Sequence, residues 1–271
     1  MDLFQTIIIA IVEGLTEFLP VSSTGHMIIT QHLLGVEQGN PFVHAFTFII
    51  QFGAILSVVC LYWKKFFSFK PEMWKLYGLL IIGVLPVVVV GLAAKRSGLL
   101  DWLLDSIWVV AITLVVGGIF MLFCDNIFNK GKEENGVTPK RAFLIGLFQC
   151  LSVIPGMSRS MSTIVGGMAN KLTRKNAAEF SFFLAVPTMA GATILDVHDM
   201  MNENVDWATS NNLFLLGIGC VVSFVVALFA MKWFVNVLTK YGFKAFGWYR
   251  IIVGIILLVM LLSRVSLNMV D

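Results

Sequence analysis

The chain has 271 residues, 58% hydrophobic and only 13% charged, with a net charge of +3 and a mean hydropathy of +0.88. Such a composition excludes a soluble globular domain, and a weak positive balance with the basic residues placed between apolar runs excludes a nucleic-acid partner.

The first segment, Leu3 to Leu34, is apolar but broken at its centre by Glu13 to His26, EGLTEFLPVSSTGH. It carries Asp2 and no basic residue at its start, and two glutamates where a signal peptide is apolar, which predicts retained structure. A span from Phe42 to Trp63 follows, with Gln51 as its polar interruption, then spans from Tyr77 to Ala94 and from Ile107 to Cys124. A second broken segment, Ala142 to Asn170, contains Gln149 to Thr163, QCLSVIPGMSRSMST. Spans from Ala177 to Leu195, Leu213 to Phe234 and Trp248 to Leu262 complete the chain. Each is near the roughly 20 residues a helix needs to cross about 30 Å of hydrocarbon. The four cysteines, Cys60, Cys124, Cys150 and Cys220, lie singly in apolar runs and read as packed, reduced thiols.

Shifting the chain by 134 positions sets FTFIIQFGAIL at Phe46 on FSFFLAVPTMA at Phe180, and LLIIGVLPVVVVGLA at Leu79 on LFLLGIGCVVSFVVA at Leu213. A repeat of half the chain length implies a duplicated fold. The pattern predicts an all-α polytopic membrane protein, one membrane domain of two repeats, 1–135 and 136–271. Each repeat is a re-entrant helix pair plus three transmembrane helices, and an odd number of spans inverts the second copy relative to the first. Non-helical backbone at membrane depth survives only under cover of protein or a water-filled cavity.

Fifteen of the nineteen Lys and Arg fall in four stretches, Lys64 to Lys75, Lys130 to Arg141, Lys171 to Lys175 and Lys232 to Arg250. This topology puts all four on one side, the cytoplasm by the positive-inside rule. The other side receives Lys95, Arg96, Arg264 and the acidic loop Asp196, Asp199, Glu203, Asp206. Both chain ends are then extracytoplasmic, and the two re-entrant tips meet inside the bilayer.

An ionisable group in lipid costs a few kcal/mol, so the polar tips mark a site. Glu13 and Glu17, four apart, share one helix face. After Pro20, Ser22 or Ser23 can cap a helix carrying His26, which gathers a nucleophile, an imidazole and two carboxylates. At the second tip Pro155-Gly156 breaks the helix and Ser158 caps the next. Arg159 sits in that helix's first turn, where the dipole disfavours a cation unless an anion is present. A helix N-terminus, an arginine fork and the hydroxyls of Ser158, Ser160 and Thr163 make a phosphate site. Gln51 either reaches the site or makes a helix-to-helix contact. His32, His44 and His198 fall near loops and carry no assigned chemistry.

EGLTE, Glu13 to Glu17, resembles the (E/Q)xxxE motif, and Pro155 to Thr163 the PGxSRSxxT motif, of the undecaprenyl pyrophosphate phosphatases, also called bacitracin resistance proteins. The likeness covers essentially the whole chain, including VSSTGH and IQFGAIL; it departs at Thr47, where relatives often carry an acid. The resemblance implies hydrolysis of undecaprenyl pyrophosphate to undecaprenyl phosphate and inorganic phosphate at the outer side of the bacterial cytoplasmic membrane, with bacitracin resistance. Arg159, with the donors of Ser158, Ser160, Thr163 and Ser22, is expected to hold the pyrophosphate, and Ser23, with Ser22 as the second choice, to attack with His26 as base and later acid. Attack by His26 itself, or by water it activates, stays open.

Two ionised carboxylates beside a polyanion repel it. Either a divalent cation, Mg²⁺ or Ca²⁺, bridges Glu13 and Glu17 to the phosphates, or one carboxylate is protonated; the family's divalent dependence implies the first. The partners expected are the lipid substrate and the surrounding membrane lipid, and a homodimer is compatible with the sequence. A lipid-phosphate flippase is the rival class, because inverted repeats and broken helices also build carriers. Such a carrier needs no serine beside a histidine.

Overall fold

The structure is a computed structural model that describes residues 1–37, 40–104, 106–128, 131–202, 208–263, 265 and 267. Its described residues form α-helices and one 3-10 turn, with no strand among them. Lys130, Glu203, Asp206 and Arg264 of the charge pattern lie outside the described residues.

Helix α1, Leu3–Thr16, opens on a reciprocal cap in which the Asp2 side chain accepts from Gln5 N and the Gln5 side chain from Asp2 N. Residues 17–22 turn, and α2, Ser23–Leu33, follows. Helix α3, Pro41–Leu61, starts on Asn40 with proline at its first position, where no amide is needed. The short α4, Trp63–Phe66, leads to α5, Pro71–Arg96, then α6, Leu99–Leu104, and α7, Ile107–Phe128.

The order then recurs. Helix α8, Pro139–Gln149, capped by Thr138, runs into the 3-10 turn Cys150–Val153, and α9, Arg159–Ala169, follows. Three long helices close the chain: α10, Arg174–Asn202; α11, Ser210–Tyr241; and α12, Lys244–Leu262. Helices α3, α5, α7, α10, α11 and α12 are each long and apolar enough to cross a membrane. They are the expected spans, extended at their ends by polar and aromatic residues that hydropathy alone leaves out.

Helix α1 packs on α2 and α11, and α8 packs on α9 and α5. Helices α3 and α10 pack together, α3 also packs on α11, and α7 packs on α12. Apolar side chains gather in two buried clusters, one around Phe182, Leu184 and Phe234, the other around Ile9, Phe46 and Leu114. One end of the bundle collects the basic stretches: Lys65 pairs with Glu179, Asn135 bonds Lys171, and Asp125 joins Arg174 to the α11–α12 turn through Phe243 N. The opposite end holds the Lys95–Asp199 pair.

Arg250 corrects the sequence reading. It was grouped with the loop charges, yet it lies inside α12 and is fully buried. The reason is contact distance: α7 and α12 meet at glycines, and a Cβ on Gly118 would stand 2.8 Å from Gly247 O. Backbones this close leave Arg250 no route along the helix surface to water, so its fork turns inward to carbonyls.

Gly118→Ala is therefore expected to push the helices apart, costing about 1–3 kcal/mol. Gly217, on α11, has nothing within 4 Å of the same added atom, so Gly217→Ala serves as the control. Thermal unfolding in detergent should drop for the first and not for the second; equal behaviour would contradict the packing.

Candidate active site

Each broken segment folds the same way at its centre. Ser22 precedes α2 with φ 69° and ψ 103°, and Ser158 precedes α9 with φ 68° and ψ 114°. A positive φ on a residue with a Cβ costs about 1–3 kcal/mol and persists where surrounding contacts enforce it. Here the enforcing group is Arg250. Its Nη1 donates to Pro20 O at 3.2 Å and Met157 O at 3.4 Å, and its Nη2 to Gly156 O at 2.8 Å and Thr113 O at 3.1 Å. Nε adds Leu114 O at 3.5 Å. One guanidinium thus holds the backbone of both turns against α7. Thr113 assists by donating to Pro155 O at 2.6 Å. Gly156, at φ 82°, has no space for a side chain, since a Cβ would lie 2.6 Å from Val110 O.

Above this clamp the side chains of the two segments meet. Arg159 Nη2 donates to Glu17 Oε1 at 3.0 Å, with side chains only 10% and 8% exposed. Its Nη1 donates to Ser181 O at 3.2 Å, and the guanidinium lies 5.6 Å from the centre of the Phe18 ring. Ser160 Oγ donates to Glu17 O at 3.2 Å, a second tie between the tips. Ser23 Oγ donates to the remaining carboxylate oxygen, Glu17 Oε2, at 2.7 Å. The result is a line from guanidinium to carboxylate to hydroxyl, with Ser23 partly exposed at its end.

His26 stands beside this line rather than in it. Nδ1 donates to Ser22 O at 2.7 Å, which leaves Nε2 of the neutral ring to accept from Tyr249 Oη at 2.7 Å. The Tyr249 ring stacks on it, 5.4 Å between centres and 9° from parallel. Among the described residues Ser23 makes no bond to His26; its partner is Glu17. The i, i+3 spacing of Ser23 and His26 favours proximity, but the carboxylate is closer to the hydroxyl's own direction.

Glu13 is fully buried against the Glu17 carboxyl and near Arg159, and its oxygens accept from no N–H or hydroxyl among the described residues. Arg159 Nε is likewise unsatisfied, as is Oε1 of Gln149, the residue of α8 placed as Glu13 is in α1. Buried polar atoms without partners are rare, and those of Glu13 and Arg159 fall in one cluster. Two adjacent carboxyls of this kind suit a shared proton or a small hard cation with oxygen ligands. Only two carboxyls converge, for no larger group of candidate metal ligands occurs among the described residues.

Other expected residues are committed elsewhere. The Ser158 side chain caps α9 by accepting from Met161 N, and Thr163 Oγ1 bonds Arg159 O and Ser181 Oγ. Gln51 is partly exposed on α3 and makes no hydrogen bond to any described residue. Thr47 is buried and bonds Gln31 and Val43 O, a packing role. Arg250 and Tyr249 are the residues that sequence reading missed. A charge seven residues into an apolar helix signalled the first, and nothing in the sequence pointed to the second.

The family model for Bacitracin resistance protein BacA matches residues 6–256. An undecaprenyl-diphosphatase of Porphyromonas gingivalis is 51% identical over 285 aligned residues, covering 98% of this chain and 99% of its own. One from Flavobacterium psychrophilum is 50% identical with 95% of each chain covered, and one from Bdellovibrio bacteriovorus is 43% identical over the full length of both.

Replacing Arg250 with Met removes the donors to five carbonyls in the turns and α7. Amide hydrogen exchange at 18–23 and 155–159 in detergent-solubilised protein should quicken by tenfold or more, while the middle of α11 stays protected. Unchanged exchange at both turns would contradict the clamp.

Proposed function

The chain belongs to the bacitracin resistance protein family, and on that premise we infer that it is an undecaprenyl-diphosphatase. It hydrolyses undecaprenyl diphosphate to undecaprenyl phosphate and inorganic phosphate, recycling the lipid carrier for envelope polymers and conferring bacitracin resistance. The observation that carries the site assignment is the contact line Arg159–Glu17–Ser23, a hydroxyl poised against a carboxylate that a cation holds in place.

In the resting protein Glu17 occupies Arg159. A diphosphate, with more charge and matching fork geometry, competes for that guanidinium and for the amides at the start of α9. Exchange of partner leaves Glu17 free to take a proton. Ser23 Oγ then attacks the terminal phosphorus, the bond to the bridging oxygen breaks, undecaprenyl phosphate departs, and the Ser23 proton passes to Glu17. Water next attacks the phosphoserine; Tyr249 Oη releases His26 Nε2, which accepts the proton of that water, and Glu17 returns a proton to Ser23. His26 has the tautomer for this, because Ser22 O fixes the proton on Nδ1. Phosphoryl transfer depends on positioning and charge, so Arg159 is the costliest member to lose.

Glu13 and Glu17 are the residues that would hold Mg²⁺ or Ca²⁺ through their carboxyl oxygens. A bound divalent cation supplies charge neutralisation for the incoming polyanion. The Glu13 carboxyl, adjacent to that of Glu17 and without a donor of its own, supports this assignment.

The two halves, 1–135 and 136–271, are read as inverted copies. Support comes from the recurring order of short, short and three long helices, from the matching backbone of Ser22 and Ser158, and from the packing of α1 on α11 as α8 on α5. The basic end faces the cytoplasm, which leaves both chain ends and the approach to the first tip on the outer side of the inner membrane. A carrier built on this plan has no use for a serine held by a carboxylate.

Purified protein given the lipid diphosphate should release phosphate, and Ser23→Ala, Glu17→Gln and Arg159→Lys should each lower kcat by about 10²-fold or more. Near-normal turnover by Ser23→Ala alongside a dead His26→Gln would transfer the nucleophile's role to His26 or water. Chelation should abolish turnover, and Glu13→Gln should raise the Mg²⁺ concentration for half-maximal rate about tenfold, read as a shift in the metal titration. A chelator-insensitive enzyme contradicts the metal assignment.

A further inference from the structure

A cavity of about 910 Å³ opens at the basic end of the bundle and shares no lining residue with the catalytic cluster. Its walls are α4 and the turn after it, the first turns of α5, the start of α10, and the chain at Gly136 and Val137. The floor is apolar, from Met73, Leu79, Phe180 and Phe183, all nearly inaccessible. The rim is cationic, from Lys64, Lys65, Lys70 and Lys75.

Lys65 is neutralised by Glu179 at 3.0 Å and lies 5.0 Å from the Phe183 ring centre. Lys64, Lys70 and Lys75 have no carboxylate within ion-pairing distance among the described residues. Glu72 is the second acid of the lining, which leaves the rim with an excess of positive charge.

The depth of the cavity is set by what surrounds its mouth. Trp63 on α4, Phe67 and Phe69 in the turn after it and Trp74 in the first turn of α5 are exposed, Phe69 by 80% at a φ of 52°. Exposed aromatic rings at the ends of spans lie at the lipid headgroup level. A basic cavity between spans at that level, with an apolar floor, matches a phospholipid: phosphate at the lysines, glycerol and upper acyl carbons against the phenylalanines. Its volume is that of a pocket for a molecule of headgroup size.

We propose that this cavity is a binding site for an anionic glycerophospholipid, held through its phosphate by Lys64, Lys70 and Lys75. The occupant is a membrane lipid rather than soluble phosphate, because half of the lining is apolar and the mouth opens among interfacial aromatics. Nothing in this assignment depends on the hydrolytic reading of the other cluster.

Native mass spectrometry of the full chain in neutral detergent tests it, with phosphatidylglycerol and phosphatidylcholine of identical acyl chains as probes. Phosphatidylglycerol should bind at least tenfold more tightly, and Lys64→Gln/Lys70→Gln/Lys75→Gln should reduce it to the phosphatidylcholine level. The exposed lysines of that variant make no contact on which folding depends, and an unchanged thermal transition verifies this. A control on the same end, Lys132→Gln/Lys140→Gln/Lys244→Gln, should keep the preference, and millimolar inorganic phosphate should not displace the lipid. Loss of binding in the control, absence of a headgroup preference, or displacement by free phosphate would each overturn the proposal.

Discussion

The ion pair between Arg159 and Glu17 joins side chains 142 positions apart in sequence, and the site exists only because they meet. Neither is affordable alone at such burial: a lone charge there costs several kcal/mol, and mutual attraction offsets this only with good geometry and further hydrogen bonds. The further bonds are present. Glu17 also receives Ser23 and, through its carbonyl, Ser160; Arg159 also donates to Ser181 O. Loss of Glu17 therefore leaves the nucleophile without its acceptor and the anion site without its resting occupant, and loss of Arg159 leaves Glu17 a buried charge without its counterion. The same pair explains how a strongly cationic pocket waits in an apolar environment until a diphosphate arrives.

Two arginines divide the work of assembly. Arg250 acts on backbone, gathering carbonyls from the turns at Pro20 and Gly156, and Arg159 acts on side chains. An arginine facing only carbonyls makes sense where the backbone has been forced out of helix and its oxygens need donors. The strained serines, Ser22 and Ser158, sit within this clamp and start the helices whose first turns carry His26 and Arg159. Glycine contacts between α7 and α12 keep Arg250 inside, so helix packing, turn geometry and the reacting groups form one connected structure.

The fold was legible because its signals are long and local. Six apolar runs and two proline-broken polar segments fix the helices, and the proline and cap residues Asn40-Pro41 and Thr138-Pro139 fix where some begin. Glu13, Glu17, Ser23, His26 and Arg159 stood out because lipid makes polar residues conspicuous. Direction was the illegible part. In a helix apolar all round, no moment distinguishes the inward face, so Arg250 read as one more basic residue near an end, and Tyr249 carried no signal at all. Sequence assigns Ser23 the histidine three residues on as its base and offers no sign of the glutamate six residues back. Spacing favoured the histidine, but the turn at residues 17–22 brings the glutamate to 2.7 Å.

A thermodynamic cycle on Glu17→Gln, Arg159→Gln and the double variant, by reversible unfolding in detergent, addresses the joining of the two tips most directly. Each single change should destabilise by about 3–5 kcal/mol, and the double variant by clearly less than the sum of the two, since no charge is then left unpaired. Strictly additive effects would mean that the two side chains do not meet, and the site as described would not exist.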